Sequence, residues 1–213
     1  MKNQLKNIRR IYVEFINKRN NTLKVFNNQY KLIGQAPIEQ KGFLVWFTGL
    51  SGSGKTTIAN NLEKVLKNHN FITCRLDGDV LRQSLNKDLG FTKKDREENI
   101  RRVKEVSKIL VDTNVITLAS FISPYERDRQ LVQEYMNGQF AEVYVNCPLL
   151  ICEKRKSDIY MKARQGIIKE FTGISSPYEE PKNPDLIIKS DEENITQSVD
   201  RVIKYLIGKK VIF

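Results

Sequence analysis

Histidine occurs once in this chain of 213 residues. His69 stands in Lys67-Asn68-His69-Asn70, a polar stretch that reads as a helix-to-strand turn. Imidazole catalysis and histidine-rich metal centres are therefore not expected. Cysteine is nearly as scarce: Cys74, Cys147 and Cys152 are odd in number and show no metal-ligand spacing. They read as reduced, partly buried thiols in a cytoplasmic protein, which argues against a disulfide framework or a zinc site. No apolar run reaches the roughly 18 residues that a membrane-spanning helix needs. The stretch Met1-Lys2-Asn3-Gln4-Leu5-Lys6 also lacks the apolar core of a secretory signal. Internal repeats and low-complexity tracts are missing too.

Acidic residues are outnumbered, 25 against 36 Lys and Arg, for a net charge of +11. Residues 1–40 hold eight Lys or Arg against two Glu, a net +6 that leaves +5 for the rest. Such a balance suits anionic partners. With no aromatic-interleaved basic repeat and no recognition-helix pattern, small anionic substrates are a better match than nucleic acid. Residues 1–40 are set apart as a basic extension whose role the sequence does not disclose. Ile11–Ile16 and Leu23–Phe26 fit short strands about a polar turn, and an amphipathic helix through Leu5, Ile8, Ile11 and Phe15 fits equally. Residues 41–213 are of a size for one α/β domain with a sizeable core.

What the chain does contain is Gly49-Leu50-Ser51-Gly52-Ser53-Gly54-Lys55-Thr56, a phosphate-binding loop of the form G-x-x-x-x-G-K-[ST]. Its glycines permit positive φ and close approach of successive N–H groups to an anion. Lys55 supplies a point charge for β- and γ-phosphates, and the Thr56 hydroxyl suits the shell of a Mg²⁺ ion. The flanks agree with the motif. Phe43–Thr48 is an apolar run of strand length, and from Thr57 onward Ile58, Ala59, Leu62, Val65 and Leu66 recur at helical spacing. A helix N-terminus there adds partial positive charge. A nucleoside triphosphate, ATP in the usual case, is the expected ligand.

Strand-like and helical patterns then alternate, which predicts a parallel sheet with helices on both faces. Further strands are expected at Phe71–Leu76, Val115–Phe121, Ala141–Asn146 and Leu186–Ile188. Helices are expected from near Asp95, over 126–137, after Pro148 and over Ile195–Ile207. Right-handed crossovers bring the carboxyl ends of the strands to one rim, so chemistry belongs just after Thr48, Leu76, Phe121 and Asn146.

At those ends several residue types suit phosphoryl chemistry, each beside a plainer reading. Asp77-Gly78-Asp79 offers two carboxylates for a metal or for taking a hydroxyl proton, or is an acidic turn. Arg82, Arg96 and Asn99 offer forked donors to an anionic acceptor, or belong to a solvated face of the helix that Thr92 caps with Asp95. Ser123, after Phe121-Ile122, reads first as an N-cap for the helix from Glu126. Arg155, Lys156, Lys162, Arg164 and Lys169 suit a basic lid over a triphosphate, or a charged surface helix. Phe171 reads as an exposed aromatic fit to stack on a base.

Taken in order, Gly49–Lys55, Asp77-Gly-Asp79, Gly90-Phe91, Asp95-Arg-Glu-Glu-Asn-Ile-Arg-Arg102 and Phe121-Ile-Ser-Pro-Tyr125 resemble adenylyl-sulfate kinase, a P-loop kinase family. Tyr160, Lys162-Ala-Arg164-Gln-Gly166 and Phe171-Thr-Gly-Ile174-Ser-Ser-Pro-Tyr178-Glu continue the likeness, which runs from about Gly42 to the C-terminus. The resemblance implies a P-loop NTPase fold, and Mg²⁺-dependent transfer from ATP to the ribose 3′-hydroxyl of adenosine 5′-phosphosulfate; a homodimer is expected. It makes Asp79 the residue that orients or deprotonates that hydroxyl and, with Thr56, assists the metal. Thr57, Arg155 and Arg164 join the loop in holding ATP. Asp77, Arg82, Phe91, Arg96, Asn99, Phe121, Ile122, Ser123, Lys162 and Phe171 fall on the acceptor, with Phe91 and Phe171 clamping its base. Ser123 matches a serine treated as a possible phosphorylated intermediate, a role that direct in-line transfer does not need.

Two positions depart from that pattern. Val80 stands where asparagine is usual, and Arg155–Tyr160 is one residue shorter than its counterpart. Both are expected to alter the acceptor side. They keep open a 3′-kinase for another activated nucleotide, such as a cytidine diphosphate derivative (for example cytidine diphosphoramidate) used in surface-polysaccharide modification. A silent nucleotide-binding module docking a sulfate-transfer partner is the third reading.

Overall fold

The computed structural model describes residues 39–213. The alternative readings of Ile11–Ile16 and Leu23–Phe26 lie outside the described residues. Gln40–Ile212 forms one compact unit around five parallel strands: β1 (Phe43–Thr48), β2 (Thr73–Asp77), β3 (Ile116–Ser120), β4 (Phe140–Asn146) and β5 (Leu186–Lys189). The spatial order is β2-β3-β1-β4-β5, which puts β1 at the centre between β3 and β4. All six β1 residues are buried, as a strand covered on both faces requires. Phe43 aligns with Ile116 and Leu44 with Phe140, so β3 ends one residue short of β1 while β4 runs two residues beyond it.

Helix α1 (Lys55–Asn68) follows the phosphate loop, and α2 (Gly78–Leu81) is a single turn after β2. The long α3 (Lys93–Asp112) precedes β3, and α4 (Glu126–Tyr135) lies between β3 and β4. Helices α5 (Leu149–Arg155) and α6 (Ser157–Arg164) follow β4, and α7 (Ile195–Gly208) closes the fold. On one sheet face Leu44 and Trp46 pack with Ile100 and Val103 of α3 and Val132 of α4. Strand alternation turns Val45 and Phe47 to the other face, where α1 and α7 lie against each other. Helices thus cover both faces, as the alternating pattern predicts.

The boundaries shift where local backbone bonds win. Phe71 precedes β2 because its N–H closes the end of α1 on Leu66 O at 3.0 Å. The helix expected after Pro148 breaks at Lys156, whose φ of −132° and ψ of 45° are not helical. Thr92 caps α3 through the Asp95 N–H at 3.2 Å, as its spacing predicts. Among the described residues, no helix is long and apolar enough to cross a membrane.

Candidate active site

A cleft of about 650 Å³ opens at the carboxyl ends of the central strands. Its donor end is built by the phosphate loop. Gly49 has a φ of 147°, and a Cβ there would meet Val145 O at 2.5 Å, so glycine is required for β1 to turn past β4. Gly54 caps α1 at a φ of 104° without a side-chain hydrogen bond, leaving the helix N-terminus open to an anion. The loop is braced from outside: Tyr160 Oη donates to Ser51 O at 2.8 Å and Ser190 Oγ to Ser53 O at 2.6 Å. Leu50 packs into the apolar cluster of Cys147, Cys152, Tyr160 and Phe171. Gly49, Leu50 and Ser53 therefore shape the loop from behind, while Ser51, Gly52, Gly54, Lys55, Thr56 and Thr57 face the cleft.

Lys55 is buried, and its Nζ donates to Gly49 O at 2.9 Å and Leu50 O at 2.8 Å. Desolvation lowers its pKa to about 8, opposed by the nearby acidic groups Asp79 and Asp77. The ammonium sits within the loop, bonded to carbonyls that a phosphate would replace. Thr56 Oγ1 donates to Asp77 Oδ2 at 2.8 Å, and Asp77 Oδ1 accepts the Asp79 N–H at 3.0 Å. Both Asp77 oxygens are thus engaged, which puts Asp77 beside the donor loop although the resemblance assigns it to the acceptor. The turn it caps presents Asp79 to the cleft. The Asp79 charge acts on Lys55 at one end and on Arg82 at the other. Thr56, Asp77 and Asp79 offer hard oxygen donors. Among the described residues, no group of three or more His, Cys, Asp or Glu could hold a metal ion. Few protein oxygens, completed by phosphates and water, are what Mg²⁺ accepts.

The acceptor end is made of side chains. Arg82 lies 4.2 Å from the centre of the Phe91 ring, and Arg96 lies at 5.7 Å. Arg82 donates to Gly90 O at 2.8 Å, and Arg96 to Phe91 O at 2.8 Å and to Glu170 O. Burial lowers both guanidinium pKa values, and the charge of Arg96 adds to the effect at Arg82. Two cations held together around one aromatic ring make a place for an anion attached to a flat group. Asn99 is buried beside them, accepting from Asn86 at 2.9 Å. The far wall is Phe121, stacked on Trp46 at 5.4 Å, with Ile122 and Ser123.

Not every expected residue reaches the cleft. Phe171 is 9% exposed and packs edge-on against Tyr160 at 4.9 Å, so the reading of an exposed aromatic is corrected. Arg164 is ion-paired with Glu153 at 2.5 Å, away from the cleft, and Lys162 does not line it. Of the basic segment only Arg155 and Lys156 line the cleft. Arg155 contacts Gly52 O, Ser53 O and Ser190, so the shortened segment begins on the donor side, contrary to expectation. Val80 is 57% exposed and does not line the cleft, contrary to the expectation that it alters the acceptor side. Ser123 is not an N-cap. Tyr125 holds that position, while Ser123 is 2% exposed with a φ of 40°. Its Oγ accepts from Trp46 Nε1 at 3.0 Å and donates to Thr48 Oγ1 at 3.0 Å, tying the ends of β1 and β3 together.

The sequence reading also missed residues that carry no motif. Ser190, Glu193, Ile195 and Ser198 line the donor end from the turn after β5 and from α7. Tyr178, which the resemblance included without a role, meets Thr48 Oγ1 with its Oη at 3.0 Å from a distant loop. Only strand order, which brings β5 to the sheet edge beside β4, delivers the first group.

Comparison with known proteins agrees with this geometry. The family model for adenylylsulphate kinase matches residues 41–189. The adenylyl-sulfate kinase of Halothermothrix orenii is 55% identical over 174 residues, covering 81% of this chain and 94% of the relative. The structure of the Mycobacterium tuberculosis APS kinase CysC in complex with AMPPNP and APS superimposes with a TM-score of 0.76 at 43% identity, covering 79% of this chain and 99% of that one. A hexameric APS kinase from Thiobacillus denitrificans gives a TM-score of 0.64 at 29% identity, over 83% of this chain and 31% of that one. The chain belongs to the adenylyl-sulfate kinase family of P-loop kinases.

Proposed function

We propose that the chain is an adenylyl-sulfate kinase that transfers the γ-phosphoryl group of ATP to the ribose 3′-hydroxyl of adenosine 5′-phosphosulfate. The observation that carries this reading is the position of Asp79. Its carboxylate lies in the cleft between the buried Lys55 and the Arg82–Phe91–Arg96 cluster, where a hydroxyl would meet a terminal phosphate. The 3′-oxygen attacks phosphorus in line as the bond to the β-phosphate oxygen breaks, Asp79 receives the hydroxyl proton, and ADP leaves. Lys55 and the amides of the loop hold the β- and γ-phosphates, and Arg82 and Arg96 hold the acceptor's anionic groups around Phe91. Mg²⁺ neutralises charge on the triphosphate when bound, and Thr56, Asp77 and Asp79 are the residues that would hold it. No step requires a protein nucleophile.

Residues 41–213 form the kinase domain in this reading, residues 1–40 are a basic extension, and the protein is a cytoplasmic homodimer. Light scattering on the purified protein checks assembly, and a monomer would refute the dimer. A reading with another acceptor nucleotide loses its motive with Val80 outside the cleft. The deciding assay is coupled ADP release with adenosine 5′-phosphosulfate beside cytidine diphosphate derivatives. Strong turnover with the sulfate and little with the cytidine compounds is expected, and the reverse result sinks the assignment.

A further inference from the structure

Arg129 of α4 is 1% exposed, yet it carries a charge that the phosphoryl chemistry never touches. Its two terminal nitrogens are tied by hydrogen bonds, and its Nε stands in an ion pair. One nitrogen donates to Ser123 O at 2.7 Å, and another donates to Glu179 O at 2.7 Å and to the Glu126 carboxylate. Its Nε is 2.7 Å from Glu142 Oε1, a buried carboxylate of β4 that sits opposite Trp46 in the sheet. A buried ion pair is weak support for stability, since apolar residues of similar volume often serve as well. Hydrogen bonds from a buried guanidinium to backbone carbonyls of separate segments do, however, fix geometry.

What this network fixes is two segments far apart in sequence. The first is the wall Ile122–Pro124, which turns through the left-handed backbone of Ser123. The second is the strap that contains Tyr178 and Glu179. Beyond the two carbonyls on Arg129, Glu179 N–H donates to Pro124 O at 2.8 Å. The Glu179 carboxylate in turn accepts the Glu126 N–H at 2.7 Å. Helix α4 has no side-chain cap of its own, so Glu179 caps it from 53 residues away. Tyr178 completes the circuit on Thr48, the hydroxyl that also meets Ser123.

We propose that Arg129 and Glu179 are positioning residues, a clamp that locks the strap to the acceptor wall and so sets acceptor geometry while touching neither substrate. This rests on the reading that Ile122 and Ser123 face the acceptor. The tests are Arg129→Lys, the double change Arg129→Met with Glu142→Gln, which removes the more buried of its two carboxylate partners with it, and Glu179→Ala at an exposed side chain. In steady-state ADP release, KM for adenosine 5′-phosphosulfate should rise between about tenfold and about 10²-fold, the scale of a small misplacement, while KM for ATP stays within about twofold. Arg129→Lys should retain part of the lost activity because it keeps the charge against Glu142 but reaches fewer carbonyls. Hydrogen exchange should show residues 120–126 and 172–180 losing protection together. Equal changes in both KM values, no change in either, or loosening confined to α4 would overturn the clamp. If Arg129→Met with Glu142→Gln fails to fold, Glu179→Ala decides. If the unaltered enzyme releases no ADP with the sulfate, the acceptor assignment falls, and exchange alone judges the clamp: paired loosening sustains it, unpaired loosening ends it.

Discussion

The two ends of the cleft are built by different means. At the end formed by the phosphate loop, consecutive residues from Gly49 to Thr56 bend one backbone into a cradle of a kind that suits a phosphate, and Tyr160 and Ser190 brace the bend from outside. At the other end side chains supply the polar groups, with Arg82, Phe91, Arg96 and Asn99 reaching in from a turn, a loop and a long helix. A backbone cradle needs only glycines and a helix N-terminus, so it is compact and tolerant of its surroundings. A side-chain pocket depends on every element that carries it, which is why it is backed by a buried polar network. Damage at the donor end should therefore strike the chemical step, and damage at the acceptor end should appear first as a loss of acceptor affinity.

Lys55→Ala gives the strongest test. Removing the buried cation should lower turnover about 10³-fold, the upper range for one electrostatic contact to a developing charge. Activity near that of the unaltered enzyme would remove Lys55 from the mechanism. The same group sets a pH limb. Its pKa of about 8 lies below the ordinary lysine value, so raising pH through 8 discharges the ammonium in the free enzyme, and kcat/KM for ATP should fall. The stability effect has the opposite sign. Between about 8 and the unfolded value of 10.5 the folded chain binds fewer protons at this site than the unfolded one, so this group's contribution to stability rises with pH. Thermal melts and kcat/KM profiles across that window should move in opposite directions for the unaltered enzyme but not for Lys55→Ala.

Asp79→Asn comes next. It should cut turnover by roughly 10²-fold while sparing ATP affinity, the scale of lost general-base assistance. Isothermal titration with a non-hydrolysable ATP analogue separates the two effects. A large loss of nucleotide affinity would move Asp79 to the donor end and blur the division between the halves.

The same division governed how much was legible in the sequence. The phosphate loop, the parallel sheet and the cap of α3 by Thr92 rest on contiguous patterns and emerge at nearly their predicted positions. Phe171 misled because an aromatic after a basic run carries no sign of burial, whereas Tyr160 and Cys152 enclose it in space. Ser123 misled because an N-cap and a buried strand-end tie look alike over five residues, and its two partners lie 77 and 75 positions away. Arg164 read as part of a lid because nothing in the local sequence discloses its pairing with Glu153. Ser190 and Ile195 carry no motif at all, so only the placement of β5 beside β4 reveals them.

A smaller effect is expected at the acceptor end from Arg82→Ala. Losing one charged donor and its stacking on Phe91 should raise KM for adenosine 5′-phosphosulfate about tenfold, the scale of a hydrogen bond to a charged group. KM for ATP should barely change. A matching rise in both would mean that Arg82 supports the whole rim, and the contrast between the two ends would weaken.

Ser123→Ala should have the smallest catalytic effect and is the sharpest check on the acceptor wall. The Ser123 hydroxyl is buried, accepts from Trp46 and donates to Thr48, so its one proton is already committed within the protein. In-line transfer needs positioning and positive charge, which Asp79, Lys55 and Arg82 supply without it. Turnover should therefore stay within about tenfold of the unaltered enzyme, whereas loss of a nucleophile that acts as part of a catalytic unit costs many orders of magnitude. The cost should appear in stability. The Trp46 indole N–H would be left buried without its acceptor, a penalty of about 1–3 kcal/mol. The melting temperature should then fall by several degrees, at about 2–4 °C per kcal/mol for a domain of this size. The chain has one tryptophan, so its emission reports this bond directly and should shift in the variant. A stable protein with unshifted emission and no activity would give Ser123 a covalent role, and the acceptor wall would become part of the chemistry it is here argued only to shape.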